Sequence, residues 1–260
     1  MEKGLNEPVY EGEIMKEGRL YQFLKKVFAI REVSLLLIIT GFGIFLSFLS
    51  PFFFSVANIS TTAIGLAGDG IIAIGMTVAL VLGGFDLSVG SVMALSGVIA
   101  GALYLAGVNI WLATVIALIG GIICGLINGY LIGRVKLNPF ITTLGMMSIA
   151  RGGSYVLTQG SPLSLSGLDK SFTFFGSGQI GGFPVMVLIF LILALFMDFS
   201  LRRSSPMRQV FYVGSSEKAA VLSGINVPKV KMGVFFLTAL LSAIAGILTL
   251  ARFTVAQPNA

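Results

Sequence analysis

The chain contains no histidine and one cysteine, Cys124, and only 11% of its 260 residues are charged. Each shortage closes a class of function. Without histidine, the commonest acid–base group near neutral pH is missing, and no Cys/His cluster is present to hold a metal. A single cysteine cannot close an intrachain disulfide, and Cys124 lies within an apolar run, where it reads as a small core residue. No apolar stretch carries two carboxylates at helical spacing, and no GxxxxGK[ST] run is present, so the chain has no P-loop of its own for ATP. A soluble domain of this size covers its surface with about a quarter charged residues. This chain has too few, and membrane-embedded enzymatic chemistry finds no inventory.

What is present is apolar: 56% hydrophobic residues, a mean hydropathy of +0.98 and 33 glycines. A bilayer core of about 30 Å needs roughly 20 apolar residues per helix. The sequence supplies about seven such stretches, approximately 33–54, 60–83, 89–107, 111–133, 139–158, 183–200 and 232–250. Helix is the expected state there, because each backbone polar group must be satisfied internally. No period-two alternation suggests an outer-membrane barrel. The expected fold class is therefore all-α, a polytopic transmembrane bundle, with residues 33–260 as its membrane domain.

The net charge of +6 and the basic pI raise nucleic acid as a partner, but the basic residues concentrate in the connections between apolar stretches. That is how cytoplasmic loops of a membrane protein look, so no nucleic acid is expected and the lipid bilayer is the expected partner. Residues 1–32 carry six acids and six bases and read as a cytoplasmic leader, with residues 14–31 a possible amphipathic surface helix. The connection Arg134-Val135-Lys136 is basic. Residues 201–231 carry Arg202, Arg203, Arg208, Lys218, Lys229 and Lys231 against one acid, Glu217. Both fall on the cytoplasmic side when the N-terminus is inside.

Gly121, Gly125, Gly129 and Gly133 recur at four-residue spacing, and Gly97 with Gly101 repeats the pattern; such strips let helix backbones approach closely. Residues 159–182 read as an ordered external loop or short helix. Ionisable residues within apolar stretches are functional candidates because they are costly in hydrocarbon. Asp69 and Arg151 qualify, and their pairing is an expectation. Arg252, at the end of the last stretch, is a third. Asp86 and Ser88 stand where the next helix begins, and either is expected to cap it ahead of any contact with solute.

The connection from Tyr212 to Pro228 predicts one short helix of two to three turns, Ser215–Gly224. Ser215 or Ser216 is its N-cap, Glu217 lies in the first turn and Gly224 is the stop. Ala219, Ala220 and Ile225 are expected to form a small apolar face suited to docking into another protein's groove.

The run Gly214, Glu217, Ala219, Ala220, Ser223, Gly224, Ile225 resembles the coupling segment of permease subunits of bacterial ABC importers of the ribose/galactose type. Gly84-Phe85-Asp86-Leu87-Ser88-Val89-Gly90-Ser91 is similar to that family's Gly-Ile-Asp-Leu-Ser-Val-Gly signature, with Phe85 in place of an aliphatic residue. Leu137-Asn138-Pro139-Phe140-Ile141-Thr142-Thr143-Leu144, then Arg151-Gly152 and Gly160-Ser161-Pro162, and finally Ala251-Arg252 with Gln257-Pro258, follow in family order from about residue 58 onward. Asp69 departs from the neutral polar residue expected there.

The resemblance implies the transmembrane subunit of an ATP-driven importer of a monosaccharide such as ribose. It implies a second permease subunit, a homodimer in the simplest case, an extracytoplasmic solute-binding protein and a cytoplasmic ATPase that binds ATP and Mg. No cofactor is expected in this chain. Gly214, Ser215, Glu217, Lys218, Ala219, Ala220, Ser223, Gly224 and Ile225 would couple to the ATPase. Asn128, Asn138, Thr142 and Thr143 offer neutral hydrogen bonds for a path. Family members continue beyond the position of Ala260 with further helices, so the seven stretches are expected to be a partial set. A nucleoside, a signalling sugar derivative or an amino acid are alternative solutes; an ion-coupled carrier using Asp69 and Arg151, and a non-transporting scaffold, are alternatives of other classes.

Overall fold

The computed structural model describes residues 31–259; the leader, with its expected surface helix, falls almost wholly outside the described residues. The chain divides into two compact units, Met1–Ile59 and Ser60–Ala260.

In the first unit, α1 (Arg31–Leu49) is apolar on every side, with Leu36, Ile39 and Phe48 all exposed. A helix of that kind belongs in lipid. It stops before Pro51, which restricts Ser50 and offers no amide to continue the ladder. The turn that follows is tied by Asn58, whose Nδ2 donates to Phe53 O at 2.7 Å, and Ser55 Oγ accepts the Asn58 amide at 3.2 Å. There α2 (Val56–Val81) begins.

The second unit contains the rest of α2, then α3 (Val89–Leu105), α4 (Ile110–Gly133) and α5 (Pro139–Thr158). After β1 (Leu163–Ser164) come α6 (Lys170–Ser177), β2 (Gln179–Ile180), β3 (Phe183–Pro184) and α7 (Val185–Arg203). The chain closes with α8 (Ser205–Ser215), α9 (Glu217–Leu222), α10 (Val227–Phe253) and β4 (Val255–Ala256). The seven apolar stretches thus coincide with α1 to α5, α7 and α10, and the protein is a polytopic all-α membrane bundle. Among the described residues, Val56–Val81, Ile110–Gly133, Val185–Arg203 and Val227–Phe253 are long and apolar enough to cross a bilayer. Val33–Leu49 and Val89–Leu105 are shorter apolar helices.

α10 is the hub, buried along most of its length. The glycine strip of α4 lies against it in antiparallel order, Gly121 on Ala243, Gly125 on Ala239 and Phe235, Gly129 on Met232 and Gly133 on Pro228. Gly97 of α3 meets the carbonyl of Gly246 from another side, with only 3.3 Å left for a Cβ. The strips therefore serve packing, as expected. The smooth surface replaces a hydrophobic driving force that lipid cannot provide between helices.

The two ends of this unit differ. At one end β1 pairs antiparallel with β4 (Leu163 opposite Ala256), and Trp111 packs edge-on against Phe172 with centroids 5.7 Å apart. The segment expected as an ordered loop or short helix supplies both, a loop and α6. At the other end Val78, Ile132, Val213, Ala220 and Val227 share one apolar cluster. That cluster draws together the end of α2, the end of α4, both short helices and the start of α10.

Candidate functional site: an inward loop and the basic end of the bundle

α2 ends at Val81, and Gly83 then turns with φ +84°, a conformation that favours glycine. The chain does not leave the bundle at that turn. It folds inward, so that Asp86 and Ser88 are each 1% exposed. Irregular backbone at membrane depth is tolerated where protein covers it, and here α3, α4, α5 and α10 do so. Asp86 Oδ1 accepts the Ser88 amide at 2.9 Å and the Ser88 hydroxyl at 2.6 Å. Its Oδ2 accepts from Thr238 Oγ1 at 2.9 Å, and Asn128 Nδ2 donates to Ser88 Oγ at 3.1 Å. Thr143 Oγ1 stands 3.2 Å from the Phe85 carbonyl.

This corrects the expected capping role. Ser88 occupies the N-cap position of α3, yet its side chain accepts no helix amide. Asp86 takes one amide, that of Ser88, and spends its other oxygen on α10. The acid ties helices across the bundle.

Among the described residues no lysine or arginine forms an ion pair with Asp86; all its partners are neutral donors. Two loose ends remain in the cluster. Thr238 Oγ1 has one proton and two acceptors at 2.9 Å, Asp86 Oδ2 and the Phe235 carbonyl. Asn128 Oδ1 is buried with no partner. An unpaired buried acceptor is costly in a low-dielectric interior, so Asn128 Oδ1 is where this cluster would take a further donor.

Of the expected path residues, Asn128 joins this cluster and Thr143 borders it. Asn138 instead caps α5, accepting the Phe140 amide at 2.9 Å, and Thr142 bonds back to the Asn138 carbonyl at 2.9 Å. Asn138 and Pro139 also line a cavity of ≈ 380 Å³ with Leu80, Gly83, Gly84 and Phe85, beside the inward loop. Thr238 was not foreseen. Its signal in the sequence is the Thr238/Ser242 pair, four residues apart in the apolar middle of α10.

Asp69 and Arg151 are both exposed, and among the described residues there is no ion pair between them, so the expected pairing is not found. Among the described residues Arg252 also meets no carboxylate. Its Nη2 donates to the Thr61 carbonyl at 3.3 Å, and its guanidinium lies 4.7 Å from the Phe253 ring centre.

At the basic end the helix expected over Ser215–Gly224 is present as α9, shorter than expected, and a second helix that was not foreseen, α8, precedes it. α8 ends at Ser215, and α9 has six residues, under two turns. Ser216 is the cap, its Oγ accepting the Ala219 amide at 3.3 Å. Ser223 closes the helix, and Gly224 makes the left-handed turn at φ +77°. The expected apolar face is also corrected. Ala220 is buried and Ile225 packs against the same cluster, so both hold α9 down. The apolar side chains facing outward are Val221 and Leu222, the latter 88% exposed, beside Lys218 and Ala219. Glu217 pairs with Lys231 at the start of α10. Gly214 rests on the Val81 carbonyl, where a Cβ would overlap the oxygen.

The family described as branched-chain amino acid transport system / permease component matches residues 55–260. A ribose import permease protein of Bacillus subtilis is 39% identical over 218 residues, covering 84% of this chain and 67% of that protein. The ribose import permease protein of Escherichia coli K12 is 36% identical over 245 residues, 94% of this chain and 75% of that one. A D-allose transport system permease protein of the same organism is 35% identical over 215 residues, 82% and 65% respectively. No solved structure gives a significant match.

Proposed function

The chain belongs to the permease-component family of branched-chain amino acid transport systems, and we propose that it carries ribose as one half of an ATP-driven import path. It is a multi-pass membrane transport subunit of the ABC sugar-importer kind, and such a subunit is not itself an enzyme. Ribose is favoured by the names of the relatives at 39% and 36% identity, with allose next at 35%. Neutral hydrogen-bonding groups around the inward loop suit a polyhydroxyl solute.

The observation that carries the mechanism is α9. It is anchored by Ala220, Ile225 and the Glu217–Lys231 pair, it sits among the basic residues, and it presents Leu222 outward. That is the form of a knob for a partner's groove. In this reading the basic end faces the cytoplasm, in accord with the positive-inside rule. A partner ATPase with its ATP and Mg grips α9, a binding protein delivers solute at the opposite end, and a second permease subunit completes the path. ATP in the partner biases two states of the bundle, to which this chain contributes differential contacts.

The test is ATP-dependent uptake of labelled ribose into proteoliposomes holding the permease, its ATPase and its binding protein. Leu222→Asp is expected to lower uptake about 30-fold or more, as loss of a central interface anchor does, while the fold survives because the side chain touches little of its own chain. Wild-type uptake by this variant would refute the docking role. Competition by unlabelled allose or a nucleoside that exceeds competition by ribose would refute the solute.

A further inference from the structure

A cavity of ≈ 250 Å³ opens beside the crossing of α3 and α10, toward the end of the bundle opposite α9. Gly97 and Gly246 of the crossing line it, with Thr249 and Phe253 further along α10 and Gln257 just after β4. Drug-sized ligands fill pockets of about 300–1,000 Å³, so this one has room for a smaller molecule of monosaccharide size.

Its polar groups are few, neutral and unspent. No ionisable side chain is among its lining residues, so an ionic solute finds no counter-charge there. Several hydroxyls on the membrane helices bond back to their own helix: Thr77 to the Ala73 carbonyl at 2.7 Å, Thr158 to Ser154 at 2.9 Å and Ser242 to Thr238 at 2.8 Å. Thr249 is half-buried, and among the described residues its hydroxyl has no hydrogen-bond partner. The carboxamide of Gln257, with two donor hydrogens and an acceptor, has none either. The Phe253 ring carries the Arg252 guanidinium 4.7 Å from its centre, an attraction that steadies the ring. A free hydroxyl, a free carboxamide and an aromatic ring in an uncharged hollow match a polyhydroxyl ring. Its hydroxyls take the hydrogen bonds and its C–H face meets the π surface.

We propose that this cavity is a monosaccharide subsite at the outer mouth of the import path. Thr249 and Gln257 hydrogen-bond the sugar's hydroxyls, and Phe253 packs on its C–H face. This subsite rests on the reading of the chain as a sugar permease whose basic end faces the cytoplasm.

Thiol labelling tests it. Val255, which also lines the cavity, is changed to Cys in a Cys124→Ala background, and the permease with its ATPase in liposomes is treated with a small water-soluble thiol reagent. Excess ribose is expected to protect the thiol, and glutamate at the same concentration to leave it reactive. Adding Thr249→Val or Gln257→Met is expected to raise the ribose concentration needed for protection about fivefold, the scale of one neutral hydrogen bond. Thr249→Ser keeps the hydroxyl and is expected to keep the protection. Ribose uptake by the wild-type permease with its binding protein separates this subsite from the reading beneath it. Uptake without protection overturns the subsite alone, as does protection that Thr249→Val and Gln257→Met leave unchanged. A cysteine that no reagent reaches also overturns it, because protein would then fill the cavity. Protection and uptake that both follow allose and not ribose support the subsite and overturn ribose as the solute.

Discussion

Gly246→Val is expected to leave no assembled bundle, read as loss of the monodisperse peak after detergent extraction. Gly246 lies where α10 crosses α3, and a Cβ there would fall inside the contact shell of the Met93 carbonyl, close to the Met93 Cα at 3.2 Å. The obstruction is backbone on both sides, since Gly97 opposite would have only 3.3 Å between its own Cβ and the Gly246 carbonyl. Ordinary overpacking costs about 1–3 kcal/mol because side chains can move aside. Here two helices would have to separate along the most buried element of the structure, so the cost exceeds that range. Gly90→Ala on α3, with nothing within 4 Å, is the control and is expected to extract normally. Normal extraction of Gly246→Val would show that the crossing is not as close as described.

The second large effect concerns Asp86. Asp86→Ala removes the acceptor for two donors of Ser88, its amide and its hydroxyl, in a place water does not reach. Each orphaned donor costs about 1–3 kcal/mol. Thr238 is less affected, because its proton also reaches the Phe235 carbonyl. Asp86→Asn should therefore be far milder. Its Oδ1 still accepts both Ser88 donors, and its amide can donate to Thr238 Oγ1 while the threonine proton turns to Phe235. The expected order of unfolding temperature in detergent is wild type close to Asn, with Ala well below. Equal stability of Ala and wild type would mean that the acid does not tie the bundle.

The membrane helices were legible because apolar length has one outcome in lipid, and the glycine strip of α4 because four-residue spacing leaves one face smooth. α8 was not legible as a helix: Ser205 to Ser215 mixes basic, aromatic and small residues, and its hydrophobic side is only two valines deep. Ser204 followed by Ser205-Pro206 was the available signal, since Ser204 Oγ does cap the Met207 amide at 3.3 Å. The role of Asp86 was half legible. Its place before a helix suggested a cap, which local spacing can express. Its bond to Thr238, 152 residues away, has no local signature. The expected pairing of Asp69 with Arg151 rested on charge alone, and charge does not say which way a helix is rotated.

The contact of Gly214 with the Val81 carbonyl joins the basic end to the end of α2 backbone to backbone. Val81 is five residues before Asp86, a reach of at most about 18 Å of chain. Glycine has no side chain to flex, so a displacement of α8 and α9 must either slide along the end of α2 or carry Val81 with it. The second course pulls directly on the loop that holds Asp86 against Thr238. In the docking role proposed above, the polar group placed to respond to force at the surface is the Thr238 hydroxyl, whose proton has both Asp86 and the Phe235 carbonyl within reach.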